Sequence, residues 1–317
     1  MPPRRESEVL RSLLLSASRN EKLQQVASEA APARALVDRF VAGERTEDAV
    51  RASAELQASG RLVTIDRLGE DTVEIAQAEA TRDAYIALLG ALDDAGLTAA
   101  AEVSVKLSAV GQALPGDGEK IALDFARAIC EKAKEVGTTV TLDMEDHTTT
   151  DSTLGVAREL RADFPWLGVV LQAYLRRTEA DCRDLATAGS RVRLCKGAYR
   201  EPETVAFTDR ADIDKAYVRC AKILLQGDGY PMLATHDPRL IDIGEALAIR
   251  ADRAPGSYEF QMLFGVRTDE QLRLAAEGHR MRVYVPYGDE WYGYLVRRLA
   301  ERPANLTLLA RALTSKG

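Results

Sequence analysis

From about residue 60 onward the chain repeats one pattern. A short β-branched run is followed by a polar or glycine-containing turn, then by a longer stretch in which apolar residues recur every three or four positions. The runs are RLVTID (61–66), AEVSVKLS (101–108), TTVTLDME (138–145), LGVVLQAY (167–174), SRVRLCKG (190–197), YPMLATH (230–236), SYEFQML (257–263) and MRVYVPY (281–287). Between them lie helical patterns such as GEKIALDFARAICEKAKEV and ADIDKAYVRCAKILLQ. Strands alternating with helices predict βαβ units with right-handed crossovers, and eight strands are the number that closes a (β/α)8, TIM-like barrel. Such a barrel takes about 250 residues. The reading is therefore an α/β chain with an N-terminal helical extension over 1–57 and a distorted catalytic barrel over 58–317. Within the extension, residues 7–27 have the pattern of an amphipathic helix. A doubly wound open sheet is the structural competitor, but no GxGxxG follows the first run.

The last strong helical pattern, WYGYLVRRLAERP (291–303), adds a chemical feature to the architecture. Trp291, Leu295 and Leu299 share one side, whereas Tyr294, Arg297, Arg298 and Glu301 share another. Two neighbouring guanidinium groups can clamp a carboxylate or phosphate through parallel charge-assisted hydrogen bonds.

Composition narrows the partners. With 317 residues, 46% of them hydrophobic, the chain can bury a large core. A formal charge of -7 and the lack of a basic run interleaved with aromatics argue against nucleic acid. Cys130, Cys182, Cys195 and Cys220 are scattered without a CxxC pair, which points to a reducing, cytoplasmic setting and to no zinc site. No segment approaches the roughly 20 apolar residues of a membrane span.

In a barrel the chemistry lies at the C-terminal ends of the strands. The candidates there are Asp66, Lys106, Asp143 with Glu145, Gln172, Arg193 with Lys196, Thr235 with His236, Glu259 with Gln261, and Tyr284. Three chemistries compete for them. A Schiff-base aldolase would need Lys106 or Lys196 neutral near pH 7. A divalent-metal lyase would draw on Asp143, Glu145, Asp146 and His147 of the DMEDH string, although strand alternation would turn Asp143 and Glu145 away from Met144 and Asp146. A flavin site would need basic side chains and backbone amides at the pyrophosphate, with Gly or Ala where the backbone meets the cofactor.

The combination of RLCKGAYRE (193–201), ATHD (234–237), YEFQMLFG (258–265) and VYVPYG ahead of YLVRRLAE is more specific. Together these segments closely resemble the proline dehydrogenase family, FAD-dependent barrel enzymes, over roughly residues 60–305. The resemblance implies oxidation of L-proline to 1-pyrroline-5-carboxylate, with electrons passed to a quinone and transient contact with the inner face of a membrane. It also implies that Arg297, Arg298 and Lys106 bind the proline carboxylate while Tyr284 and Leu263 pack against the ring.

For the cofactor, the family pattern implies Arg193 beside the flavin N5, with Lys196, Gly197 and Ala198 in the segment that follows the flavin. Met144 and Gln172 would border the isoalloxazine, and Thr235 and His236 would serve the pyrophosphate and ribityl side. Asp143 would act as the active-site acid, organising Lys106 or Arg193. The chain looks like the single-function form, so a separate 1-pyrroline-5-carboxylate dehydrogenase is expected to act downstream. Cys195 is read as core packing, and His147 and His279 as surface or capping residues.

Overall fold

Along most of the strands, apolar side chains alternate with polar ones, and this alternation sorts the two faces of the sheet. In the computed structural model, which describes residues 37–70 and 72–294, the strands are β1 Leu62–Arg67, β2 Ala101–Val105, β3 Val140–Leu142, β4 Gly168–Gln172, β5 Arg191–Cys195, β6 Tyr230–Ala234, β7 Glu259–Leu263 and β8 Met281–Tyr287. All neighbours are parallel, and β8 pairs with β1 to close the barrel. Seven of the eight expected runs contain their strand whole, and β1 extends one residue past its run, to Arg67.

Val63, Ile65, Val103, Val105, Val140, Leu142, Val192, Leu194, Val283 and Val285 all belong to the main apolar core. That core lies between the sheet and its helices, where β-branched side chains fit the pleated surface. The alternate positions, among them Thr64, Glu102, Ser104, Arg193, Glu259, Gln261 and Arg282, make hydrogen bonds and ion pairs across the barrel. The barrel is apolar outside and ionic within.

The outer layer consists of α1 Thr46–Ala58, α2 Ile75–Asp94, α3 Gly118–Glu135, α4 Thr150–Arg161, α5 Thr178–Leu185, α6 Arg210–Gln226, α7 Pro238–Arg250 and α8 Thr268–Ala276. In α3, Ala122, Ala126, Ile129, Cys130 and Ala133 are buried, the helical spacing that seats one face on the sheet. Asp209 caps α6 by accepting from the Ala211 and Asp212 amides, and Asp237 caps α7 by accepting from the Arg239 amide, with Pro238 opening the helix.

Helices α2 to α8 lie between consecutive strands, whereas α1 precedes β1 and packs against both β1 and β8. It occupies the outer position that a helix following β8 would take in a regular barrel. The segment before it is tied to the opposite end of the chain: Ala42 donates its amide to Pro286 O, and Trp291 Nε1 donates to Glu44 Oε1 at 3.0 Å. Phe40, Val41, Leu68, Trp291, Tyr292 and Tyr294 form a second apolar cluster beyond the C-terminal end of β1. The amphipathic pattern over 7–27 and the arginine pair Arg297 and Arg298 lie outside the described residues. Among the described residues, no helix is long and apolar enough to cross a membrane.

Candidate active site

Asp143 leaves the end of β3 with its amide bonded to Val105 O, which turns its carboxylate across the barrel mouth. There Oδ1 accepts from Arg193 Nη1 at 2.6 Å and from Ser104 Oγ at 2.7 Å, and Oδ2 accepts from Tyr284 Oη at 2.7 Å. Arg193 is fixed in turn by Nε, which donates to Gln261 Oε1 at 2.6 Å, and by its guanidinium lying 5.3 Å from the Tyr284 ring centroid. Four strands and one loop therefore converge on a single ion pair. Burial pushes the Tyr284 hydroxyl well above its ordinary range and the Asp143 carboxylate adds to this, so Tyr284 is a donor throughout the accessible pH range. Of the two groups that Asp143 was expected to organise, the structure gives it Arg193.

Lys106 belongs to Asp66 instead. Its Nζ donates to Oδ1 at 2.7 Å and to Oδ2 at 2.6 Å, and the Asp66 side chain is almost fully enclosed. Burial would pull the lysine down, but the carboxylates of Asp66 and Asp143 outweigh it and hold the ammonium above its ordinary range. A lysine held charged in this way is the wrong species for a Schiff-base nucleophile. Lys196 is likewise ion-paired, with Asp214 at 2.5 Å and Asp237 at 3.3 Å.

The DMEDH segment does not gather its oxygens and imidazole around a point. Strand β3 ends at Leu142, so alternation no longer governs the residues after it. Asp143 turns to Arg193, and Glu145 accepts from the Ser108 amide at 3.1 Å and hydroxyl at 2.6 Å. Asp146 Oδ1 accepts from the Thr148 amide, and His147 pairs with Glu201 through Nδ1.

The other expected cofactor residues fall into small bonded groups around the same mouth. Gln172 Nε2 donates to Glu145 O at 2.7 Å, next to buried Met144. Thr235 Oγ1 accepts from the Asp237 amide, while His236 Nε2 accepts from the Leu263 amide at 2.9 Å and so carries its proton on Nδ1 if neutral. Leu263 and Tyr284 are direct partners across β7 and β8, which brings the two expected ring-packing residues together.

Gly197 has φ +110°, and an added Cβ would lie 2.2 Å from the Tyr174 ring. The glycine is required by that ring, and Ala198 after it is exposed. Cys195 departs from the expected core role: it stands outside the main apolar core at the end of β5, its thiol donating to Leu171 O. Burial pushes that thiol up to about 11.

Glu102 is the site-supporting residue that the strand-end reading missed. It accepts from Arg191 Nη2 at 2.6 Å and from Thr64 Oγ1 at 2.8 Å, and lies 3.9 Å from Arg193 Nη2. Burial would raise its carboxyl, but Arg191, Arg282 and Arg193 outweigh this and hold it well below the usual range. The signal was present in Glu102, Ser104 and Lys106 at i, i+2, i+4, the inward stripe of a strand continued beyond its end.

The chain matches the family Proline dehydrogenase over residues 49–311, more than half its length. It belongs to the proline dehydrogenase family. It is 42% identical over 280 residues to the proline dehydrogenase of Deinococcus radiodurans, covering 88% of this chain and 90% of that one. To proline dehydrogenase 1 of Bacillus subtilis it is 38% identical over 308 residues, covering 97% of this chain and all of the relative. Among solved structures, proline utilization A of Bdellovibrio bacteriovorus inactivated by N-propargylglycine superposes with a TM-score of 0.80 at 28% identity. That match covers 90% of this chain and 34% of the larger one. The closed barrel and the family membership therefore agree, and neither rival chemistry is favoured.

Proposed function

We propose that the protein oxidises L-proline to 1-pyrroline-5-carboxylate using FAD held at the strand ends, and that the electrons pass to a quinone. The observation that carries this is the Asp143–Arg193–Tyr284 cluster at the mouth of a proline dehydrogenase family barrel. The residues present suit a flavin. Arg193 Nη2 is buried with no hydrogen-bond acceptor among the described residues, and basic, amide and hydroxyl side chains of Lys196, Gln172 and Thr235 surround the same opening.

FAD, when bound, supplies the acceptor for the hydride that leaves the ring carbon beside the proline nitrogen. The chain's own groups set the conditions. Lys106 uses two of its three N–H donors on Asp66 and has one left for a substrate carboxylate, to which Arg297 and Arg298 add their forks. Tyr284 and Leu263 offer an apolar wall to the pyrrolidine ring. Asp143 fixes the position of Arg193, whose positive charge favours electron density arriving next to it. Arg193 with Lys196, Gly197, Ala198, Met144, Gln172, Thr235 and His236 form the proposed cofactor set. Peripheral contact with a membrane delivers the quinone, and a separate dehydrogenase consumes the product.

The test is optical. The purified protein should be yellow, anaerobic L-proline should bleach the flavin bands, and a soluble quinone should restore them. A preparation that takes up no FAD overturns the reading.

A further inference from the structure

At the N-terminal ends of the strands, opposite the proposed active site, a partly open cavity of about 330 Å³ indents the barrel. Its lining includes Thr139, Glu102, Arg191, Tyr230, Arg280 and Arg282. A volume of this order is at the lower end of small-molecule sites. Three arginines against one lining carboxylate make it locally positive, although the chain as a whole carries -7.

The inner charges are already matched. Arg191 Nη2 donates to Glu102 Oε2 at 2.6 Å, and Arg282 Nε donates to Glu259 Oε1 at 2.7 Å. Tyr230 Oη donates to Glu259 Oε2 at 3.0 Å, so its hydroxyl is committed as well. Arg280 is different. It is exposed, makes no ion pair among the described residues, and lies 5.9 Å from the Tyr230 ring centroid, the distance at which Arg191 also approaches that ring. The rim therefore holds one guanidinium whose charge no carboxylate among the described residues offsets, and Arg191 lines the same space.

We propose that this cavity is a second ligand site, specific for a compact, multiply charged anion such as a phosphate or a small dicarboxylate, gripped by Arg280 with Arg191 behind it. A planar guanidinium takes either group through parallel N–H donors. No residue of the Asp143–Arg193–Tyr284 cluster lines the cavity, and Glu102, which does, lies 3.9 Å from Arg193 Nη2.

Thermal unfolding of the full, FAD-loaded chain tests this, with sodium phosphate or sodium succinate compared against sodium chloride at matched ionic strength. Ligand that binds only the folded state raises the midpoint with concentration. The expected result is a saturable rise with at least one of the two anions, retained at saturating L-proline. Arg280→Ala should weaken the apparent affinity tenfold or more, and Arg280→Lys should restore part of it. The stronger of the two anions identifies the group recognised. No rise above chloride, an equal rise in Arg280→Ala, or a rise abolished by proline overturns the proposal.

Discussion

Tyr284 Oη donates to Asp143 Oδ2 at 2.7 Å, while the same tyrosine ring lies 5.3 Å below the guanidinium that holds the other carboxylate oxygen. One side chain thus touches both members of the Asp143–Arg193 pair. Tyr284→Phe keeps the ring and removes only the O–H. A hydrogen bond to a charged acceptor contributes about 1.5–3 kcal/mol, so kcat/KM for proline should fall roughly ten- to hundredfold. Steady-state kinetics with a dye acceptor measure this, and an unchanged value would show that Asp143 needs no orientation from β8.

The Lys106–Asp66 pair is buried enough for its partners to depend on each other. Lys106→Met leaves a carboxylate enclosed without its cation, which should cost about 3–5 kcal/mol in urea unfolding. Adding Asp66→Asn should recover much of that loss, because the stranded charge is gone. If the double variant is no more stable than the single one, the pair is not the source of the effect.

Gly197 faces a ring rather than open space. Gly197→Ala places a methyl group against Tyr174 at a φ that L residues rarely adopt, so destabilisation of about 1–3 kcal/mol is expected. Combining it with Tyr174→Ala should relieve the overlap and leave only the backbone strain. Denaturant midpoints of the two variants separate these contributions.

The interior carboxylates predict the acid limb of stability. The arginines around Glu102 and Glu259 overcome the effect of burial and hold both below their unfolded value of about 4.3. Their contribution is complete above that pH and is lost as the pH falls through the folded values, since the unfolded chain then binds protons that the folded one does not. Urea midpoints should be level from about pH 7 to 5 and drop below about 4.3. Glu102→Gln should be weaker at pH 7, with a shallower drop.

Much of this molecule was legible because the strands present an apolar face to the helices, β-branched in most of them, and that face writes a short apolar run. Runs such as 101–108 and 138–145 overshot their strands because Lys106 and Asp143 continue the polarity pattern after the sheet has ended. The partners of these two residues were not legible. Asp66 is 40 positions from Lys106, and Arg193 is 50 from Asp143, so only barrel closure says which acid meets which base. Glu102 was overlooked because it lies at the start of its strand, where a barrel reading looks for stability rather than chemistry. The position of α1 was beyond local pattern altogether, since an amphipathic helix does not announce which seam it will cover.

That position has a consequence for how the chain is made. Helix α1 leaves the ribosome early, yet one of the two strands it covers, β8, is more than two hundred residues away. Its apolar face, including Ala49, Ala52 and Leu56, must wait for the last strand before burial is complete. Contacts of such sequence separation carry a loop-closure cost that nearer contacts do not, so joining the two ends should be a late and slow event in folding. Through α1, Glu44 and Trp291, the first and last described segments meet at one seam, and the barrel is finished only when they do.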